Sequence, residues 1–428
     1  MRYLFVFFHR WVGLIIAAFL FVTGLTGAVI SWDHELDSWL NPELHMASGT
    51  GPAKPSLDLA TLVEARDPRV RVARLPLQPE PGEALEVIVF PKVDPATGRL
   101  FEPGYNQVFL NPVTGAELGR RERGQAWPIT RQTLVSFLYK LHYSLHVPEM
   151  WGIDRWGIWF MGGIAIAWMI DCFVGFYLTL PARKTVRPGQ PLAVRRALAK
   201  GWWRRWKPAW KVKTSGSAYR INFDLHRAFS LWTWGVLILL AFTAFSLNLY
   251  RELFYPVMST VSQVTPLPFD LRRPATKHRP IEPSLTYAQV LDLARAEGGK
   301  RGWTDPVGAL AYNQRYGIYS ARFFQPGDDH GAAGVGPAML FYDGKDGRYL
   351  GDRQPWVGTA ADIFVQAQFP IHSGRLLGLP GRILISLMGL VVAMLSVTGV
   401  VIWWRKRAAR ISVRQKAVSA ESMPAPVE

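Results

Sequence analysis

Residues 9–27 read HRWVGLIIAAFLFVTGLTG and residues 381–407 read GRILISLMGLVVAMLSVTGVVIWWRKR. Each is a long apolar run bordered by cations. A helix rising 1.5 Å per residue crosses ~30 Å of hydrocarbon in ~20 residues. Four stretches have about that length: residues 11–32, 156–180, 229–249 and 381–404. The first is too long for the apolar part of a secretion signal and no A-x-A site follows it, so a retained anchor is expected. Orientation follows from Lys and Arg. Residues 183–227 carry thirteen of them, and the stretch after Trp404 adds Arg405, Lys406, Arg407, Arg410, Arg414 and Lys416. The positive-inside rule puts both stretches in the cytoplasm. The expected fold is therefore a four-helix transmembrane bundle with two outer α+β domains and both chain termini inside. Its divisions are a first helix (1–32), an outer domain (33–155), a second helix (156–181), a basic cytoplasmic loop (182–228), a third helix (229–250), a second outer domain (251–380), a fourth helix (381–404) and a cytoplasmic tail (405–428).

Composition agrees with a membrane protein. The 428 residues are 49% apolar and include 18 Trp, a ring suited to the lipid–water boundary. The net charge of +17 would suggest nucleic acid in a soluble protein. Here the cations cluster beside apolar segments, so lipid headgroups and topology account for them and a nucleic-acid role is set aside. Cys172 is the single cysteine, which excludes an intramolecular disulfide, covalent CxxCH haem and a four-cysteine iron–sulfur site. No GxGxxG opens a nicotinamide- or flavin-binding βαβ unit.

The two outer segments resemble each other. The first has a helical pattern at 56–66, an alternating strand at 84–90 and the strand–turn NQVFLNPVTGAELG at 106–119; the second has 284–297, 316–324 and MLFYDGKDGRYLG at 339–351. Both β-rich runs end at a Gly-containing turn. An internal duplication follows, with both halves inserted the same way round and their symmetry axis along the membrane normal.

Five of the nine His sit at the ends of the spans. His9 and His226, each followed by Arg, open the first and third helices on the inner side and are equivalent under the duplication. On the outer side, His372 matches either His142 or His146. The spacing from His146 to Gly175 is nearer that from His372 to Gly399, whereas His142 shares the Leu/Ile-His context. Paired imidazoles near a bundle axis suit the two axial positions of a noncovalent haem, so two b-type haems are expected, one near each face. Arg10 and Arg227 inside, and Arg375 and Arg382 outside, are candidates for the haem propionates. Zinc or copper is the rival reading, since His142 and His146 are spaced i, i+4, but no Cys or carboxylate cluster converges with them in sequence. His34, His45, His278 and His330 read as surface residues of the outer loops. Asp171 lies within the second span, where a carboxylate is expensive; it either pins helices together or does functional work. Cys172 and Tyr177 beside it read as packing. Gly24, Gly27, Gly163, Gly175, Gly389 and Gly399 make room for a close helix or for a flat cofactor. Trp127, Trp151, Trp303 and Trp356 are candidates to line an outer site, with membrane-belt or core packing as the alternative.

Several motifs occur together: HRWVGLIIAAFLFVTGLTG, LHYSLHVPEMWG (141–152), WMIDCFVGFYLTLP (168–181), WKPAWKVKTSGSAYRINFDLHRAFSLW (206–232) and IHSGRLLGLPGR (371–382) with VTGVVIWWRKR (397–407). With these the chain resembles the PepSY-associated transmembrane family, iron-regulated inner-membrane proteins of bacteria. The likeness covers nearly the whole chain. It implies PepSY-type outer domains, haem positions at His9, His142, His146, His226 and His372, and an activity of ferric-siderophore reductase type on the periplasmic side. A cytoplasmic reductase or membrane quinol would then supply the electron, and the cationic loop 183–220 could dock an acidic donor. Two other functions are carried forward: a siderophore or iron-uptake helper or transporter without redox activity, and a membrane protein that restrains peptidases through its PepSY domains.

The topology has a direct test. Reporter fusions after Gly49 and after Gly344 are expected to be active only as periplasmic reporters; cytoplasmic signal at either position contradicts the orientation.

Overall fold

Apolar runs with no internal proline become long helices, and the polar alternating stretches become a sheet. The computed structural model describes residues 1–182, 191, 193 and 201–421, with 416–421 by backbone alone. Much of the basic loop, and the end of the tail, lie outside the described residues. The helices used below are α1 (Arg2–Ile30), α2 (Asp33–Leu40), α3 (Ser56–Arg66), α4 (Leu134–Ser144), α5 (Trp156–Thr179), α6 (Ala218–Trp232), α7 (Trp234–Asn248), α8 (Tyr287–Lys300), α9 (Ala360–Ser373) and α10 (Gly378–Glu421). The strands are β1 (Val70–Pro76), β2 (Leu85–Pro91), β3 (Gln107–Leu110), β4 (Glu117–Arg121), β5 (Val307–Asn313), β6 (Ile318–Phe323), β7 (Ala338–Asp343) and β8 (Tyr349–Arg353). The chain forms two compact units. A helical unit takes Met1–Val29, Leu141–Tyr250 and Ile383–Glu428, and a sheet unit takes Ile30–Lys140 and Arg251–Arg382.

In the helical unit, α1, α5 and α10 are each long and apolar enough to cross a membrane. The span expected at 229–249 differs. It is a bent pair, α6 and α7, meeting at 71°. Thr233 leaves the helical region at the junction (φ −106°, ψ 4°), and its hydroxyl donates to the Phe229 carbonyl at 2.7 Å, a back-bond that bends helices. The apolar part, α7, has 15 residues and is about 22 Å long, short of the hydrocarbon thickness by itself. Three spans are therefore present among the described residues, or four if the bent pair counts as one. Close crossing of α1 and α10 rests on two glycines. A Cβ on Gly24 would lie 2.6 Å from the Gly389 carbonyl oxygen, closer than any side chain tolerates.

The two outer segments, expected as separate domains, contribute four strands each to one antiparallel sheet ordered β4-β3-β2-β1-β5-β6-β7-β8. The joint is β1 against β5, with Arg74 opposite Ala311, Leu75 opposite Leu310 and Pro76 opposite Ala309. α3 packs on one half and α8 on the other. Leu57, Leu77 and Tyr287 touch both hydrophobic clusters, and the Tyr287 hydroxyl donates across the joint to the Val72 carbonyl at 3.0 Å. The outer turns follow side-chain chemistry. Asn111 Oδ1 accepts from the backbone N–H groups of Val113 and Thr114, Asp343 Oδ1 accepts from that of Lys345, and Gly115 and Gly347 supply the positive φ that closes each loop.

His45, expected at the surface, is a correction. Its Nε2 lies 3.0 Å from Asp37 in a network that also holds Arg121 and Gln107. Burial pushes the Asp37 carboxyl up, but hydrogen bonds from His45 and Arg121 outweigh it and hold that carboxyl well below the usual range. This network ties α2 to β4. His34, with its ring centroid 6.5 Å from that of His45, stands beside it. His278 and His330 are exposed, as expected: His278 Nδ1 accepts from the Leu100 N–H, and His330 pairs with Asp329.

Candidate functional site in the helical unit

Four helices bring two imidazoles together. His9 comes from α1 and His226 from α6, while α5 and α10 supply their partners. His9 Nδ1 lies 2.9 and 3.0 Å from the two oxygens of Asp171, which only accept when ionised. His226 Nδ1 lies 3.1 Å from the Leu395 carbonyl oxygen and 3.0 Å from Thr398 Oγ1. A carbonyl cannot donate, so the proton of His226 sits on Nδ1. By the same reasoning the carboxylate fixes the proton of His9 on Nδ1. In the neutral form of each ring Nε2 is then the lone pair, the atom that binds a metal.

The rings face a common space. Their centroids are 6.3 Å apart, with ring planes at 56° to each other. Two imidazoles trans across one metal ion, at ~2 Å per metal–nitrogen bond, have centroids about 6 Å apart. The cleft they line has a volume of about 580 Å³, and Arg10, Arg227, Trp168 and Trp234 are also on its wall. Among the described residues no group of three or more His, Cys, Asp or Glu is placed to hold a metal ion. Asp171 already occupies the far nitrogen of His9. The protein thus offers two nitrogen donors and no more, too few for the four-ligand shell of structural zinc. A planar tetradentate ring that brings its own four donors matches what is missing.

Glycines seat these rings. A Cβ on Gly175 would lie 3.5 Å from His9 Cε1, and one on Gly399 would lie 3.2 Å from His226 Cε1. His142, on α4, is held the same way. Its Nδ1 lies 3.1 Å from Thr26 Oγ1 on α1, and a Cβ on Gly27 would come within 3.0 Å of its Cε1. Of the six span glycines named from the sequence, Gly24 and Gly389 serve the helix crossing, Gly27, Gly175 and Gly399 seat histidines, and a Cβ on Gly163 would meet nothing within 4 Å.

The other expected site residues separate by unit. His146 follows α4 with φ +53°, in the helical unit with His142. His372 is in the last turn of α9 in the sheet unit. Of the arginines, Arg10 lines the inner cleft. Arg227 lines it too and donates to Asp224 (2.7 Å) and to the Pro208 carbonyl (2.8 Å). Arg375 pairs with Asp33 at 3.6 Å. Arg382 donates to the Ser31 carbonyl and to Glu35 and lies over the Trp32 ring, 4.4 Å from its centroid. Trp303 takes the core alternative: it packs against Phe323 at the edge of the sheet's hydrophobic cluster. Trp127 and Trp151 are exposed, and Trp356 donates its indole N–H to the Ala332 carbonyl. Sequence reading missed Asp224, Leu395 and Thr398. Asp224 is fully buried between Arg220 and Arg227, and its i, i+4 and i, i+3 spacing to them was the available signal.

The sequence model of the family described as PepSY-associated TM region matches residues 7–406, and the chain belongs to that family. No curated protein matches it.

The glycine seats have a test that needs no cofactor. Gly399→Leu drives a side chain into the His226 ring and is expected to cost ~1–3 kcal/mol, the usual range for overpacking. Gly163→Leu, with open space, is expected to leave the thermal midpoint in detergent unchanged. Equal effects of the two substitutions would mean that the ring does not rest on Gly399.

Proposed function

We propose that this membrane protein is a haem b oxidoreductase that delivers single electrons to ferric siderophores at the periplasmic face of the bacterial inner membrane, releasing iron(II). The observation that carries this reading is the His9–His226 pair, with 6.3 Å between ring centroids and both Nδ1 atoms already committed to the helices. A haem b held by these two rings supplies one-electron chemistry without any Cys-based carrier. Asp171 and the Leu395 carbonyl hold the two rings in the ligating tautomer. Gly175 and Gly399 fix their positions, and Arg10 offers a cation to a propionate. His142, His146 and His372 are the candidate ligands for a second haem. His142 has the same Thr–Gly seat as His226 has, which favours it over His146 as an axial ligand.

The electron must come from outside the chain, from a cytoplasmic reductase or from quinol in the bilayer. Iron(III) is a hard cation held by hard siderophore oxygens, and iron(II) binds the same donors far more weakly, so one added electron releases it. A polar path for transport would need a free intramembrane charge. Asp171, the residue that offered one, is bonded to His9 instead.

Purified protein reduced with dithionite is expected to be reoxidised by a ferric siderophore, with iron(II) trapped by a ferrous chelator. The gallium(III) form of the same siderophore should leave it reduced. Identical behaviour of the ferric and gallium forms across several siderophore classes would overturn the reductase reading.

A further inference from the structure

The sheet unit carries a concentration of chemistry of its own. On the face of the sheet opposite α3 and α8, three arginines come from three strands. Arg74 is on β1, Arg322 on β6 and Arg353 on β8. The register aligns two of them, since Ala309 pairs with Arg322, Arg322 with Met339 and Met339 with Arg353. Arg74 stands one strand beyond, opposite Ala311, which pairs in turn with Ser320. Between Arg74 and Arg322 the floor is therefore Ala309, Ala311 and Ser320, all small. The segment 325–337 adjoins this floor, and Arg353 donates to its Val335 carbonyl at 2.9 Å.

The charges there do not balance. Among the described residues Arg322 makes no hydrogen bond and no ion pair, although it is half-buried. Arg74 Nε is buried with no hydrogen-bond partner, and its ion partner is Asp329 at 3.7 Å. Asp329 is itself shared with His330 at 2.6 Å. Burial first, then Arg74 and then Arg353 pull the Arg322 guanidinium down to about 10, with Asp329 alone opposing them; at neutral pH it stays charged. Guanidinium groups that serve only the fold are normally matched by carboxylates or carbonyls, because an unmatched buried donor costs its desolvation. A group left unmatched among like charges, over a floor of small residues, is arranged for an incoming anion.

The geometry points to an anion-binding site formed by Arg74, Arg322 and Arg353, whose ligand is a carboxylate or phosphate oxyanion. Planar guanidinium forks suit carboxylate or phosphate oxygens, and the small floor leaves room for them. This site is independent of the haem reading and stands or falls by binding alone. Its ligand can reach it as a soluble polycarboxylate or as a phosphate-bearing lipid headgroup, and the two sources separate experimentally.

The test uses the full chain in detergent and calorimetric titration with citrate, and in parallel with dihexanoyl phosphatidylglycerol below its micelle concentration, dihexanoyl phosphatidylcholine serving as the blank. Saturable citrate binding that weakens with added salt, falls at least tenfold in Arg322→Gln and is unchanged in Arg295→Gln supports a soluble ligand; Arg295 is exposed on α8. Loss of phosphatidylglycerol binding in Arg322→Gln, without citrate binding in the wild type, supports the same site with a headgroup ligand. Arg322→Gln should also keep or raise the thermal midpoint, since it removes repulsion. The proposal is overturned if neither anion binds the wild type, or if both bind Arg322→Gln as well as they bind the wild type.

Discussion

An imidazole ring placed among apolar helices must satisfy its polar atoms inside the protein, because lipid offers them nothing. The helical unit depends on that constraint. His9, His226 and His142 each commit Nδ1 to a neighbouring helix, and each rests its Cε1 edge on a glycine. With the ring pinned at one nitrogen and one edge, Nε2 of His9 and of His226 is left for something else. The glycines explain why α1, α5 and α10 are small at those positions while their other faces are bulky. They also explain why the helices carry a ring at all, since a larger residue at Gly399 or Gly27 would close the space.

The two inner rings are held by unlike partners. Asp171 stands four residues before Gly175, and Leu395 stands four residues before Gly399. At the first position His9 meets a carboxylate, and at the second His226 meets a backbone carbonyl. A carboxylate partner makes an imidazole a more basic ligand than a carbonyl partner does. The intramembrane charge on Asp171, costly by itself, is offset by the same contact. Of the two roles the sequence left open for Asp171, the structure shows the first: it pins α1 to α5 through its contact with His9.

Much of this was legible in the sequence, for identifiable reasons. The α1, α5 and α10 helices show as apolar runs because lipid demands them, and both hairpin turns show because Asn111, Asp343 and two glycines are needed there. The central strands β1 and β5 did not show. VRVARLP puts arginines inside an alternating run and ends in proline, and VGALAYN is built from small residues with little strand preference. Those two strands turn two expected domains into one sheet. The bend at Thr233 was equally silent, because a hydroxyl back-bond leaves no mark on hydropathy. The His9–His226 pairing was read from duplication, whereas the Nδ1 partners of His226, Leu395 and Thr398, are contacts between helices distant in sequence. His45 looked like a loop residue because its partner Asp37 meets Arg121 of β4 only on folding.

The central claim is that His9 and His226 are the two axial ligands of one haem. Haem per chain, measured by the pyridine haemochrome of purified wild type and of His9→Ala and His226→Ala, tests it most directly. The account predicts two haems in the wild type, about half that amount in either variant, and a remaining spectrum that belongs to the other site. Full haem content with an unchanged low-spin spectrum in both variants would contradict it.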